Sequence, residues 1–342
     1  MIVSASRRCD IPAHYLEWLV ARIEAGYCLV RNPFDARSVR RVSLDPAEMD
    51  CLALWTRDPG PLAAWGAQRL GELGVRSIVH VTLTGYPAAL EPGVPRPAAA
   101  LESLARLSEL LGKGRVLWRY DPILIARGLE AEFHLRNFAA LAAALEGRTE
   151  RVTLSLVDEY AQTRARITRS GFSDPLFARP REARGRGAAR PSAEAPPGPP
   201  PPRLPPEPYA SLLARLASIA AAHGMRCVSC AEPFDLAPLG VEPGACVDAE
   251  LIGRLFGDAR TGPAAPATAR AGAAPERHTL GERGRLAARD PGQRPRCRCA
   301  PSADIGEYGA CPAGCAYCYA NRGRGRLLSP RPEDESLQIQ GK

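Results

Sequence analysis

Short apolar runs rich in β-branched residues alternate along the chain with longer stretches in which apolar residues recur at helical spacing. Six of the short runs predict strands, at residues 2–6, 51–56, 77–84, 115–120, 151–157 and 225–231. Amphipathic stretches predict helices at residues 62–73, 98–111, 131–145 and 209–222. This alternation is typical of a parallel sheet. We therefore expect an α/β fold, a (β/α) barrel of about six parallel strands, with a doubly wound open sheet as the alternative.

Three further segments interrupt this alternation. Residues 28–32 and 40–44 flank a Pro-Phe-Asp turn and predict a hairpin. Residues 173–206 contain eleven prolines, and residues 259–296 are rich in Ala, Pro, Gly and Arg without an apolar period, so both predict flexible insertions. The chain is thereby predicted to comprise five β/α units (1–172), a Pro-rich insertion (173–206), a sixth unit (207–258), a linker (259–296), a cysteine-rich segment (297–328) and a tail (329–342).

The basic charge of the chain lies mainly in these low-complexity segments. The formal net charge is +8, and arginines of the two insertions supply most of the excess, so the predicted globular parts are close to neutral. A nucleic-acid partner is therefore not expected. The sequence has no apolar run long enough for a membrane helix, and no signal peptide is evident at its start. These features predict a cytoplasmic protein without a membrane partner.

Cysteines are concentrated near the end of the sequence. Five of the eleven fall between Cys297 and Cys318, and clustered cysteines in a reducing compartment more often bind metal than form disulfides. Cys311, Cys315 and Cys318 form C-x₃-C-x₂-C, with Tyr317 directly before the third cysteine. Three thiolates at this spacing can hold three irons of a [4Fe–4S] cluster and leave the fourth iron without a protein ligand. A zinc–thiolate site is the alternative.

Four other cysteines predict a second metal site, which would hold either a second iron–sulfur cluster or zinc: Cys230, Cys246, Cys297 and Cys299. If they share a metal, their sulfurs must lie close together in the fold. The alternative is that Cys230, like Cys227 on the same strand, is a small core residue. Cys28 and Cys51 are expected in the core.

Polar residues follow most of the predicted strands. In a (β/α) barrel the carboxyl ends of the strands form one mouth, where the chemistry is located. The catalytic candidates chosen by this rule are Arg7, Arg8, Asp10, Arg119, Asp121, Asp158 and Glu232, with Arg57 beside them. Trp55, Thr84 and Tyr317 are the candidates for cofactor binding. Arginines at a mouth suit a small polar or anionic substrate, and the alternative is a ring of ion pairs that stabilises the fold.

The five histidines show no metal-binding spacing. His14, His134 and His223 lie in or next to stretches with a helical pattern and are expected to be surface or interface residues.

In the order of these motifs, the sequence resembles members of a bacterial family of unknown function. The C-terminal cysteine cluster of that family is similar to the cluster of radical S-adenosylmethionine (SAM) enzymes. The resemblance covers nearly the whole chain apart from the two insertions. It rests on residues 302–321 with the cysteine motif, on VSASRRCDIP at 3–12, on LVRNPF at 29–34, on WRYDPI at 118–123 and on CAE at 230–232. Radical SAM enzymes usually carry their cysteine loop after the first strand. Here the loop follows all six predicted strands, so the resemblance implies a circularly permuted or otherwise rearranged barrel with a C-terminal Fe–S loop.

The resemblance also implies an activity. A [4Fe–4S] cluster of this kind cleaves SAM reductively so that hydrogen is abstracted from a substrate, here unknown, and it requires an electron donor such as ferredoxin or flavodoxin. Two other functions remain open from the sequence. One is a metalloprotein that does not use SAM, in which an Fe–S or zinc site is structural or senses redox state. The other is a barrel enzyme that processes nucleic acid.

Overall fold

The computed structural model describes residues 1–33, 35–160, 162–177, 204–257, 296–321 and 325–337. An eight-stranded sheet forms its centre, and a separate hairpin pairs β2 (Tyr27–Asn32) with β3 (Asp35–Ser43) in antiparallel fashion. The strands of the large sheet are β1 (Ile2–Ala5), β4 (Cys51–Thr56), β5 (Ser77–Thr82), β6 (Val116–Ile123), β7 (Arg151–Leu156), β8 (Arg226–Cys230), β9 (Glu242–Gly244) and β10 (Ser302–Asp304).

Every pair of neighbouring strands in this sheet is parallel, and the order is β10-β1-β4-β5-β6-β7-β8-β9. From β1 to β9 the order follows the sequence without reversing. A doubly wound sheet reverses its strand order at a switch point, whereas a (β/α) barrel winds in one direction. In the described part of the chain β9 and β10 are the two edges. The α/β class with a central parallel sheet is therefore confirmed, and closure into a barrel stays a prediction.

Helices follow most of the strands. They are α1 (Ile11–His14), α2 (Leu16–Glu24), α3 (Ala67–Glu72), α4 (Pro97–Leu111), α5 (Ala131–Leu145), α6 (Thr163–Arg169), α7 (Tyr209–Ala222) and α8 (Ala249–Phe256), with a π-helical turn at Leu62–Gly66 and a 3-10 turn at Ala237–Leu239. Asp10 and Asp248 cap α1 and α8 because their carboxylates accept hydrogen bonds from backbone N–H groups of the first turn. No helix of the described ranges is long and apolar enough to span a membrane.

The two faces of the large sheet differ in chemistry because successive side chains of a strand point to opposite sides. One face is apolar and packs against α4, α5 and α7, with Leu54, Val81 and Trp118 among its buried residues. On the other face, here called the inner face, Trp55 is in register with His80 on the next strand. The inner face also carries Thr82, Arg119 and Thr153, which are in register across β5, β6 and β7.

All six strands and the hairpin expected from the sequence are present, with differences at their ends. β5 ends at Thr82, so Thr84 lies in the following loop, and β6 continues to Ile123, so Asp121 lies within the strand. The short strands β9 and β10 were not predicted. The greater parts of the two predicted insertions, residues 178–203 and 259–295, lie outside the described residues, as do residue 258 and residues 338–342 of the tail.

His134 departs from the prediction of a surface or interface residue. It is fully buried, its Nε2 lies 2.9 Å from the carbonyl oxygen of Leu124, and its Nδ1 lies 2.9 Å from the hydroxyl of Tyr120. These two polar partners satisfy a neutral imidazole inside the core. Burial lowers the pKa of His134 to about 4.

Candidate functional site

The C-x₃-C-x₂-C motif lies in a loop, here called the cysteine loop (residues 309–321), that packs over the segment after β5. The N–H of Gly93 donates to the carbonyl of Ala313 at 2.9 Å, and the N–H of Ala316 donates to the carbonyl of Leu90 at 2.9 Å. Gly314 has φ +70°, a left-handed conformation that glycine adopts without strain. These two backbone hydrogen bonds hold the cysteine loop against the segment between β5 and α4.

Side chains hold the cysteine loop from its other end. The guanidinium of Arg166, on α6, donates to the carbonyl of Cys318 and, at 2.7 Å, to the carbonyl of Asn321. The amide of Asn321 donates to the carbonyl of Cys311 at 2.8 Å. The backbone that carries the three thiols is therefore held by polar contacts with charged and amide groups.

The surroundings of the loop thiols suit a group that binds thiolates in a dry environment. Cys315 is buried and Cys311 and Cys318 are partly buried, within an apolar group that includes Tyr86 and Tyr317. Burial raises the pKa of Cys311 to about 11 and that of Cys315 to about 12, so both thiols keep their protons at neutral pH unless a cation replaces them. Thiols are soft donors that favour soft metals over hard cations, but the sulfurs of Cys311, Cys315 and Cys318 do not all lie within 4.8 Å of one another.

Glu91 is the centre of a polar group beside the cysteine loop. Its Oε1 accepts hydrogen bonds from Arg57 Nη1 at 2.7 Å, from Thr84 Oγ1 at 2.6 Å and from the hydroxyl of Tyr317. Its side chain is only 4% exposed, and the Arg57 side chain is 17% exposed. A buried carboxylate is tolerated here because an arginine and two hydroxyl groups are directed at one of its oxygens.

Arg57 connects the ends of three strands with the cysteine loop. Its backbone N–H donates to Asp10 Oδ2 at 2.7 Å, and its Nη2 donates to the carbonyl of Asp121 at 3.2 Å. Its guanidinium carbon lies 5.1 Å from the ring centre of Tyr317. Burial alone lowers the pKa of Arg57, but Tyr317, Glu91 and Cys315 around it outweigh burial and raise the pKa well above the usual value. The guanidinium is therefore a permanent positive charge next to Cys315.

A second group of thiols lies on the inner face, and we call Cys230, Cys246, Cys297 and Cys299 the inner cysteines. The sulfurs of Cys230, Cys246 and Cys299 all lie within 4.8 Å of one another, so these three could hold a metal ion. The sulfurs of Cys246 and Cys230 are 3.0 Å apart. The thiol of Cys297 contacts that of Cys299, and the N–H of Cys299 lies 3.5 Å from the Cys297 sulfur. These contacts are compatible with both alternatives from the sequence. In one, the sulfurs bind a shared metal ion, and in the other they are thiols of small core residues.

The thiols of the inner cysteines differ in pKa. Hydrogen bonding to Cys299 lowers the pKa of Cys297 to about 6 despite burial. Hydrogen bonds from Cys230 and Cys246 lower the pKa of Cys299 to about 7. The same contacts and burial raise the pKa of Cys230 well above its ordinary value. Negative charge is therefore stabilised on the side of Cys297 and Cys299.

Cationic and aromatic side chains surround the inner cysteines. Arg119 donates through Nη1 to the Cys246 sulfur at 2.7 Å and through Nη2 to the carboxylate of Asp121. His80 Nε2 lies 2.9 Å from the carbonyl oxygen of Cys246, and its ring stacks on Trp55 with 4.9 Å between ring centres. Burial, together with the charges of Arg119 and a second arginine, lowers the pKa of His80 to about 3, so the ring is neutral.

The remaining candidates from the strand ends make contacts that hold the fold. The backbone N–H of Arg7 donates to Asp304 Oδ2 at 2.9 Å, and Arg8 Nη1 donates to the carbonyl of Gly306 at 3.3 Å, so both tie β10 to β1. Glu232 Oε1 accepts from the Ser155 hydroxyl and the Leu156 N–H, both at 3.0 Å. Asp158 Oδ2 accepts from the Tyr160 hydroxyl at 3.3 Å.

The structure thus gathers Asp10, Arg57, Thr84, Asp121 and Tyr317 around the cysteine loop, and it places Arg119 and Trp55 at the inner cysteines. Sequence reasoning missed Glu91 and His80. Glu91 lies in the loop between β5 and α4 and not at a strand end, so the rule that selected the other candidates does not reach it. His80 is within β5, where the period of two along a strand would have placed it on the same face as Thr82.

No curated protein matches the chain significantly. Residues 2–320 match the family model described as a domain of unknown function, DUF1848. This match spans the sheet and both groups of cysteines up to Ala320, and the chain therefore belongs to the DUF1848 family.

Proposed function

We propose that the protein is an iron–sulfur enzyme of the radical SAM type, in which Cys311, Cys315 and Cys318 hold a [4Fe–4S] cluster. When bound, a cluster with an open iron supplies the electron for reductive cleavage of SAM, after which hydrogen is abstracted from the substrate. The observation that carries the proposal is the position of the cysteine loop. It lies against Arg57 and Glu91 beyond the carboxyl ends of β4 and β5, the side on which parallel α/β sheets bind their ligands.

The residues of the chain have three roles in this proposal. Arg57 offsets negative charge on the loop thiolates, because its guanidinium lies beside Cys315 and Tyr317. The apolar group around Tyr86 and Tyr317 excludes water from the thiolates. Glu91 orients Arg57, Thr84 and Tyr317 through one oxygen. These four residues line the site next to the loop and are here called the polar wall.

The substrate class and the electron donor follow from the same chemistry. Arg57 and Glu91 give the wall groups of both signs, which suits a small polar or anionic substrate. An electron donor such as ferredoxin or flavodoxin would reduce the cluster, and a reducing cytoplasm would keep eleven cysteines free.

Anaerobic reconstitution tests the proposal. The full chain should bind about four irons and four sulfides at the loop, and addition of SAM with a reductant should release 5′-deoxyadenosine. Replacement of Cys311, Cys315 and Cys318 together by Ala should remove the iron, the brown colour and the SAM cleavage. Cys28→Ala, a buried cysteine of β2, is the matched control and should change none of them. Unchanged iron in the triple variant would overturn the cluster assignment.

A metalloprotein that does not use SAM is the second candidate, and it is favoured by the sulfur contacts of the inner cysteines. The same experiment separates the two. An intact cluster without release of 5′-deoxyadenosine would support a structural or redox-sensing role, and zinc without iron at the loop would exclude the radical SAM activity.

A further inference from the structure

We infer that the inner cysteines bind one tetrahedral metal ion of the zinc class, and that this ion joins the two edge regions of the large sheet. Cys230 ends β8, Cys246 follows β9, and Cys297 and Cys299 precede β10. The inference does not rest on the proposed function, because none of these residues belongs to the cysteine loop.

The distances between sulfurs favour one ion over a cluster. Ligands of one tetrahedral zinc have bonds of about 2.3 Å, which places their sulfurs about 3.8 Å apart. The sulfurs of Cys230, Cys246 and Cys299 lie within 4.8 Å of one another, with 3.0 Å between the first two. The ligands of a [4Fe–4S] cube each bind a different iron and are held farther apart than this. Cys297 is not part of the group of three; its thiol contacts that of Cys299, and its sulfur would have to shift toward the other three to become the fourth ligand.

Groups around the inner cysteines can donate hydrogen bonds to their thiolate sulfurs. Arg119 donates to the Cys246 sulfur at 2.7 Å, and the N–H of Val247 lies 3.4 Å from the Cys299 sulfur. Four thiolates around a divalent ion carry excess negative charge, and Arg119, together with Arg7 near Cys297, offsets part of it. Groups in the second layer of a metal site characteristically orient and stabilise its ligands in this way.

The position of the ion gives it a structural role. The N–H of Ala300 donates to the carbonyl of Val247 at 2.9 Å, so the segment after β9 and the segment before β10 already touch. About fifty residues of chain separate Cys246 from Cys297, and a cross-link that closes a segment of this length restricts the unfolded chain strongly. The ion would hold β10, and with it the cysteine loop, in place on the sheet.

The test uses the full chain in which Cys311, Cys315 and Cys318 are all Ala, so that only the inner cysteines can bind metal. We expect one equivalent of zinc by elemental analysis, with four sulfur ligands at about 2.3 Å by X-ray absorption. Cys230→Ala, Cys246→Ala or Cys299→Ala in this background should remove the zinc and lower the Tm by about 5–10 °C. Cys51→Ala is the matched control, because Cys51 is buried in the same apolar group but is not one of the three residues in the group of possible ligands.

A cobalt(II) titration uses only the chain in which Cys311, Cys315 and Cys318 are Ala and all inner cysteines are present. Its result therefore does not depend on whether the further variants fold. A thiolate-to-cobalt absorption band that saturates at one equivalent with four thiolate ligands supports the inference. Fewer than four thiolate ligands, a Cys230–Cys246 disulfide in the anaerobically purified protein, or iron with sulfide at the inner cysteines would each overturn it. Failure of the cysteine loop to bind a cluster would leave all of these readings unchanged, so the two proposals are tested separately.

Discussion

The cysteine loop and the inner cysteines are assembled in opposite ways. The loop takes its three thiols from Cys311 to Cys318, one short piece of chain that is clamped onto a finished surface. The inner cysteines come from three places far apart in the sequence and meet because β8, β9 and β10 bring them together. In the loop, the thiols are surrounded by an ion pair and aromatic rings. In the inner group, the sulfurs contact one another.

This difference indicates which site depends on the fold. A motif of closely spaced ligands is largely defined before the protein folds, and the fold only decides what surrounds it. The inner cysteines exist as a group only once the sheet is complete, so their affinity for metal includes the free energy of sheet assembly. Damage to the sheet should therefore affect the inner cysteines first, and damage to the polar wall should affect the loop first.

The largest effect is expected from Arg57→Met, which should damage the loop region and spare the inner cysteines. It leaves Glu91 buried without its cation, and breaking a buried pair in this way costs about 3–4 kcal/mol of unfolding free energy. Urea denaturation measures the loss. A second change, Glu91→Gln, should restore part of it because the unpaired charge is then gone. Arg69→Met, which breaks an exposed pair with Glu24 and Glu72, is the control and should change stability little. An equal effect of both arginine variants would contradict the importance of burial.

Gly306→Ala should affect both regions, because Gly306 lies where β10 meets β1. A Cβ at this position would be 1.8 Å from Ser6 Oγ and 2.4 Å from Ser6 Cβ. The clash should cost about 2–3 kcal/mol of unfolding free energy and lower the metal content of both groups of cysteines. Gly71→Ala in α3, where no atom lies within 4 Å of the added Cβ, is the control and should not destabilise the protein. Metal loss from one region alone would show that β10 does not support both.

Acid should weaken the support of the loop through His134. Its ring is 5.9 Å from that of Tyr86, which in turn lies 6.0 Å from Tyr317 of the loop. Its pKa is about 4 in the folded protein, against 6.5 as the ordinary value. The unfolded chain therefore takes up a proton first, and stability is lost as the pH falls from about 6.5 towards 4. At pH 5 the loss should be about 2 kcal/mol.

His134→Gln isolates this contribution, since glutamine keeps a donor and an acceptor but does not titrate. Urea denaturation at pH 7 and pH 5 should show a smaller difference in the variant than in the wild type by about that amount. Part of the acid effect should remain, because His80 beside the inner cysteines also has a lowered pKa, about 3. If the difference in unfolding free energy between pH 7 and pH 5 is as large in the variant as in the wild type, His134 is not the group that titrates.

The smallest effect, confined to the loop, is expected from Arg166→Gln. The change removes the cation that binds the carbonyls of Cys318 and Asn321 and should cost about 1 kcal/mol. Iron should be lost faster from the reconstituted cysteine loop in the presence of a chelator, while the metal of the inner cysteines stays. Arg169→Gln, exposed on the same helix, is the control. A matching loss of metal from the inner cysteines would show that the two regions are coupled through α6.

The sequence predicted the elements whose own residues define them. The buried strand at Cys51–Thr56 is a continuous apolar run, and Cys311, Cys315 and Cys318 are recognised by spacing alone. In contrast, β9 is Glu-Pro-Gly, which has little strand propensity and pairs only because β8 offers an edge. Arg7 and Arg8 were predicted as catalytic candidates with a structural role as the alternative, and residue type alone does not distinguish the two roles. Their partner, Asp304, is about three hundred positions away.

The same limit applies to the candidate site. Asp10, Arg57 and Asp121 were expected together because the ends of parallel strands meet, and they do lie in contact. Glu91 was missed because nothing in a loop sequence indicates which side chain turns inward. The burial of His134 was missed for a related reason. A single polar residue on a helix is usually exposed, and only the positions of Tyr120 and Leu124 in the fold give it partners.

The pairing of β10 with β1 has a consequence for synthesis on the ribosome. The Ser4 hydroxyl donates to Asp304 across 300 positions of sequence, so β1 is synthesised well before the strand with which it pairs. During that interval one edge of β1 is open to incorrect pairing or to chaperones. A chain released early would lack the partner strand and, with it, every thiol of the cysteine loop. Translation through β10 and the cysteine loop is thus a precondition both for the pairing of β1 with β10 and for loading of the loop with metal.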